Sequence, residues 1–213
     1  MNLNTPPHAV HLFNLAQKQD VAYGPSAVEL LEAWAEEKRV FKRNKVPAEK
    51  KLLAVILCSA GLSYRDAAEL AGDISYVGVR DAVLAFRKSL PSPERKYRGR
   101  IALFETRLEV GGVTVYVWLA RDLDADETLA FAAAREGSSV EAERFLDTVS
   151  SYCINRPFAV MERGERYPRG LKNVDKRFQI DTSPGIRDWI GRLFVGRPRQ
   201  SENPFRPLAG IHG

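Results

Sequence analysis

The sequence predicts an α/β protein, a mixed β-sheet with flanking helices, preceded by an all-α helix-turn-helix domain. Three observations carry this expectation. Ile101 to Asp122 alternates apolar and polar residues on both sides of Gly111-Gly112, which describes a β-hairpin with one face buried. Residues 47–90 hold three amphipathic helical patterns joined by two tight turns. After a third strand, helical patterns alternate with short apolar runs, as a sheet covered by helices requires.

Taking the elements in order, Thr5-Pro6-Pro7 opens an irregular start, and His11 to Gln19 forms a short helix ended at Tyr23-Gly24-Pro25. Pro25-Ser26 begins a helix through about Arg43, with Val28, Leu31, Trp34, Ala35 and Phe41 on one side and a row of glutamates on the other. That stripe wants a partner. Either the following helices or a second copy of the chain supplies it, and the second option predicts a homodimer.

Pro47 starts the first helix of the next group and Gly61 follows its end. Ser63, three residues before Asp66, caps the second, which stops at Gly72. Ser75 caps the third, where Val79, Ala82, Val83 and Phe86 form a core face. Small Ala67 and Ala68, a glycine at the turn and valine in the third helix suit a close helix crossing. This is the helix-turn-helix reading, with the third helix entering the major groove of double-stranded DNA. Ser75, Tyr76 and Arg80 are then the candidates for base edges, and Arg65, Arg87 and Lys88 for phosphates. The turn Gly72-Asp73-Ile74-Ser75 is one residue longer than the commonest form, and Asp81 would repel phosphate unless a neighbour such as Arg80 pairs with it.

Charge divides along the chain. The 213 residues carry a net +5. Residues 38–100 alone hold 15 basic and 6 acidic side chains, a balance of +9, whereas residues 101–182 hold 11 and 14. A basic front beside an acidic middle is the distribution of a protein whose front faces a polyanion. Residues 91–100 read as a linker, with two prolines and then a basic run whose Arg95, Lys96, Arg98 and Arg100 follow the DNA backbone or line a solvated hinge.

The sheet region begins with the hairpin and turns at Leu123–Asp126 into a third strand, Thr128 to Ala134. Ser138 and Glu141 cap a helix to about Tyr152, with Val140, Ala142, Phe145, Leu146 and Val149 as its packing stripe. A strand Phe158 to Met161, a turn through Gly164, a short helix near Tyr167 to Asn173, a strand Arg177 to Ile180 and a last helix from about Gly185 to Phe194 complete it. The domain expectation is 1–90 helical, with the helix-turn-helix at 47–90, then a basic linker 91–100, a sheet core 101–195 and a basic tail 196–213.

The run ETRLEVGGVTVYVWLARDLDADETLAF resembles the opening of the catalytic core of insertion-sequence transposases. That resemblance, over roughly 62–189, implies a ribonuclease-H-like fold, in which an Asp-Asp-Glu triad holds two divalent ions for DNA strand transfer. In the family the first Asp stands just before the Glu-Thr of the hairpin, the second precedes an Arg-Gly, and the Glu lies shortly before a Trp. Here those positions are Phe104, Glu162 and Arg187. A ring and a guanidinium cannot ligate metal, so the resemblance implies a degenerate member with no metal, no cofactor and no catalytic residue: a DNA-binding transcriptional regulator or chromosome-organising protein. The alternatives are a transposase or nuclease using displaced ligands such as Glu105, Glu162 and Asp188, and an inhibitory partner of active transposases.

Composition bounds the rest. With 45% hydrophobic and 28% charged residues the chain is neither disordered nor membrane-embedded, and no apolar run approaches the roughly 20 residues of a membrane span. A cytoplasmic, chromosome-associated protein is expected. Cys58 and Cys153, far apart and outside any Cys/His cluster, read as buried free thiols. The Pro-, Gly- and Arg-rich end is either a free terminus or a phosphate-tracking tail through Arg197, Arg199 and Arg206.

Overall fold

Two strands adjacent in sequence and joined by two glycines have a local route to pairing, and the fold is built outward from them. The computed structural model describes residues 26–41, 45–135, 139–161 and 173–180. Within these, helices α1 (Ala27–Glu37), α2 (Ala48–Ser59), α3 (Tyr64–Ala71) and α4 (Tyr76–Ser89) precede strands β1 (Arg100–Val110), β2 (Val113–Asp122) and β3 (Glu127–Arg135). Helix α5 (Ser139–Ser151), strand β4 (Phe158–Met161), a 3-10 turn at Val174–Lys176 and strand β5 (Gln179–Ile180) follow. The chain is therefore mixed α/β, with a five-stranded mixed sheet and helices on both faces.

The strand order is β3-β2-β1-β4-β5. β1, β2 and β3 are successive antiparallel neighbours, whereas β4 runs parallel to β1 and β5 parallel to β4. The hairpin register pairs Val110 with Val113, leaving Gly111 and Gly112 as a two-residue turn with φ of +56° and +78°. Positive φ at both central residues matches the right-handed twist of the flanking strands, which is why glycine occupies them.

The hairpin is buried on both faces, not one. Leu108, Val110, Val115, Val117 and Leu119, with Phe104 and Val113 beside them, face the N-terminal helices. Ile101, Leu103, Trp118 and Ala120 face α5. The period-two valines thus meet segments that precede them in the chain, not the later ones. In α5, Ala142, Phe145, Leu146 and Val149 supply the opposite core as the sequence predicts, whereas Val140 is exposed. Each large side chain so buried contributes about 1.5–3 kcal/mol.

Helix α1 begins where the sequence places it. Ser26 accepts from the Glu29 backbone N–H at 3.2 Å, and the Glu29 carboxylate accepts from the Ser26 N–H at 2.7 Å, a full capping box. It ends at Glu37, short of Arg43, and Arg39 takes a left-handed φ of 49°. Trp34 is only 5% exposed and meets Phe86 of α4 edge to face, with centroids 5.5 Å apart. Phe86 continues the stack onto Phe131 of β3 at 5.4 Å. The Trp34 stripe is therefore covered by its own chain, which corrects the expectation that it offers a homodimer surface. Thr106 Oγ1 on β1 accepts from the Ala27 N–H at 2.8 Å, so the first turn of α1 docks directly on the sheet.

Residues 91–100 are not a free linker. Lys96 forms a parallel bridge with Cys153, and Arg98 is 1% exposed. Its guanidinium donates to Asp122 Oδ2 at 2.5 Å, Glu127 Oε2 at 3.1 Å, Glu94 O at 2.8 Å and Tyr152 O at 3.1 Å. Asp122 Oδ1 in turn accepts from the N–H groups of Asp124 and Ala125 at 2.9 and 3.0 Å. Four segments meet on one buried cation, each polar group satisfied, the condition under which such a network is tolerated. Cys58 and Cys153 are free thiols, half-buried and buried. Among the described residues no helix is long and apolar enough to cross a membrane.

Candidate nucleic-acid interface

Ser63 accepts from the Asp66 N–H at 3.2 Å and Ser75 from the Gly78 N–H at 3.1 Å, so each serine fixes the start of its helix by meeting an N–H that the helix itself cannot. Between α3 and α4 the chain turns through Gly72 and Asp73, both left-handed with φ of 66° and 51°. Asp73 tolerates that region better than most residues, and the Lys50 ammonium from α2 binds its carboxylate and holds its pKa below the ordinary value. The extra residue in this turn is thereby pinned. Buried Ala67 and Ala71 on α3 and Val79 on α4 mark the faces turned into the core.

Helix α4 has two sides. Val79, Ala82, Val83 and Phe86 are buried, the four residues the sequence places in the core. Tyr76, Val77, Arg80, Asp81, Leu84, Arg87 and Lys88 are exposed. At 100° per residue these seven span an arc of about 140°, and from Tyr76 to Lys88 the arc runs about 18 Å along the axis. Tyr76 and Leu84 are each 54% exposed and share this arc with Val77, so apolar surface stands among its cations. Arg65 of α3 lies over the Tyr76 ring with its guanidinium carbon 5.9 Å from the centroid, bringing the two helices' candidate residues together.

The cations divide into engaged and available. Arg80 pairs with Asp81 at 3.0 Å, Lys96 with Glu127 at 3.3 Å, and Arg100 with Asp124 at 3.4 Å. Arg98 is enclosed, and a side chain with no exposed surface cannot reach a phosphate, so its place among the DNA contacts is corrected. Arg95 is exposed, with its Nε 3.4 Å from Cys153 O. Arg65, Arg87 and Lys88 are exposed and, among the described residues, form no ion pair. Of the ten candidates, Arg65, Ser75, Tyr76, Arg80, Arg87 and Lys88 lie on α3 and α4. Arg95, Lys96 and Arg98 lie on a strap tied to α5 and the strand ends, and Arg100 opens β1, which the basic composition of that run could not reveal. Val77 and Leu84 join the exposed arc without having been singled out, although the helical period that places Arg80 outward also places them there.

Of the triad positions, Glu162 and Arg187 lie outside the described residues, as do Ser138, Gly164 and the final helix. Phe104 sits on β1 opposite Leu119 and packs into the cluster beneath the N-terminal helices. Glu105 faces the other way, accepting from Trp118 Nε1 at 2.6 Å. Among the described residues no group of three or more His, Cys, Asp or Glu is arranged to hold a metal ion. An apolar cleft between β3 and α5, lined by Ala130, Phe131, Ala132, Phe145 and Thr148 with Glu141 and Arg144, has a volume of about 220 Å³, small for a cofactor.

Burial raises the Glu105 carboxyl from its ordinary 4.5 to about 7, the Trp118 hydrogen bond opposing only part of the shift. Glu32 is raised to about 7 as well, first by burial and then by Glu36, Glu49 and Glu29. An acid whose folded pKa is raised supports the fold fully below the unfolded value and loses that support as pH rises to the folded value. The window here is pH 4.5 to about 7. Glu105→Gln, which keeps an acceptor for Trp118, should therefore match wild type near pH 4 and exceed it by on the order of 1–3 kcal/mol at pH 8. Urea melts at the two pH values check this; equal differences at both would reject it.

No family model matches the chain, and no solved structure matches it. Its sequence is similar to an uncharacterized protein of Methanocaldococcus jannaschii, with 29% identity over 181 residues that cover 84% of each chain.

Proposed function

We propose that this protein binds double-stranded DNA through the outward face of α4 and the adjoining Arg65, and that it is a transposase-derived regulator or chromosome-organising protein without strand-transfer chemistry. The observation that carries the reading is the α4 arc, where Tyr76, Val77 and Leu84 stand exposed among Arg80, Arg87 and Lys88. An exposed helix with polar, basic and apolar groups on one side suits the major groove, which admits an α-helix and presents both hydrogen-bonding edges and thymine methyls. The helix-turn-helix reading is supported by the capped pair α3 and α4, and the ribonuclease-H-like one by the order β3-β2-β1-β4-β5 with α5 between β3 and β4. The absence of strand-transfer chemistry is supported by Phe104, whose ring fills apolar space under the helices.

The test is fluorescence anisotropy with labelled duplexes across a salt series. Affinity should fall steeply with salt because bound cations release counterions. Replacing Arg65, Arg87 and Lys88 together by Gln should lower the log–log salt slope by about 3, close to one per phosphate contact. A slope unchanged by the triple variant would remove these residues from the interface. With magnesium or manganese added, binding without nicking, unaffected by Glu162→Ala, is the expected outcome; metal-dependent nicking lost in that variant would favour the enzyme reading instead.

A further inference from the structure

Resting on the proposed duplex binding by α4, we propose that Arg80 reads a single guanine in the major groove and that Asp81 is the positioning residue that holds its guanidinium in the reading pose. Arg80 lies within the exposed arc, four residues after Tyr76 and four before Leu84. Its Nε and Nη2 both donate to Asp81 Oδ1, at 3.2 and 3.0 Å. A guanidinium has two usable edges. With the Nε side occupied by the carboxylate, the N–H groups at the tip of the exposed guanidinium remain.

Two parallel donors of this kind fit one base. Guanine presents two acceptors, N7 and O6, side by side, whereas adenine sets a donor beside its N7, thymine offers one acceptor and a methyl, and cytosine a donor. The same pair answers why a carboxylate stands in a surface otherwise suited to a polyanion. Left alone, Asp81 would repel phosphate; paired with Arg80 it offsets one charge and fixes a long, flexible side chain, so less conformational freedom is lost on contact. Arg87 and Lys88, without such a partner, are left to phosphates, which need charge but not a fixed fork.

The experiment uses the full chain. Duplexes bound from a randomised library are sequenced, and each guanine of the preferred site is then replaced singly by 7-deazaguanine, which lacks the N7 acceptor. One replacement should weaken binding about tenfold. The penalty should vanish in Arg80→Ala, which itself binds that site roughly ten- to a hundredfold more weakly. In Asp81→Ala the preference for guanine over 7-deazaguanine should shrink, whereas a carboxylate that merely repelled phosphate would, once removed, raise affinity for every duplex alike and leave the preference intact. Salt-dependent binding with no guanine sensitive to the replacement, or a penalty that survives Arg80→Ala, overturns the base-reading role but leaves duplex binding standing. No binding to any duplex overturns both. Thermal melting of the two variants should stay at the wild-type value, since the pair is exposed.

Discussion

Arg98→Met should lower stability by about 3–5 kcal/mol, because it strips the counterion from Asp122, which is 2% exposed, takes the guanidinium donor from the Glu94 carbonyl and leaves the Tyr152 carbonyl with the Lys96 N–H alone. For a chain of this length that is a fall in melting temperature of roughly 6–20 °C. Arg98→Lys should also fail to restore the fold fully, since one ammonium cannot serve four acceptors on three sides. Arg95→Met, an exposed neighbour in the same basic run, is the control and should stay within about 0.5 kcal/mol of wild type. If Arg98→Met melts with that control, the buried network contributes nothing. Pairing Arg98→Met with Asp122→Leu should recover part of the loss, because the orphaned carboxylate is then gone.

Phe86→Ala is expected to cost about 3–5 kcal/mol and to loosen α4 from the sheet. Its ring is 1% exposed and stands between Trp34 and Phe131, edge to face with both. Removing it deletes two aromatic contacts and leaves a void that neither neighbour can fill without moving. Hydrogen exchange should show protection lost first in α4 and in the facing part of β3. Leu84→Ala, on the exposed side of the same helix, should cost far less. Equal costs for the two variants would mean that the ring stack does not hold the helix in place.

Local signals were legible. Ser63 and Ser75, read as caps from the sequence, each cap the helix that follows, and the helix expected from Pro25-Ser26 starts at a Ser26 cap. The Gly111-Gly112 turn and its flanking alternation set the hairpin register without outside information. The end of α1 was not legible, because Phe41 continues the helical spacing of Trp34 past the point where Arg39 turns left-handed. Nor was the burial of Arg98. Its carboxylate partners lie 24 and 29 residues away, and an arginine in a Pro-flanked basic run has the composition of a solvated segment until those strands arrive. The candidate interface was legible on α4, where one helical period sorts core from surface. It was not legible in residues 95–100, where tertiary pairing decides which cations remain outside.

The ring stack through Phe86 ties the outward arc of α4 to the strand order behind it, and the Arg98 network ties the connecting strap to the same sheet. A protein whose reading helix swings on a tether accepts targets of many spacings. Here the strap between α4 and β1 is fastened at Lys96 and Arg98, so a duplex gripped by the helix as proposed would meet the hairpin at one set angle. On that proposal, inserting a base pair into a preferred site would turn its far half by about a tenth of a rotation, which a fastened strap would not follow.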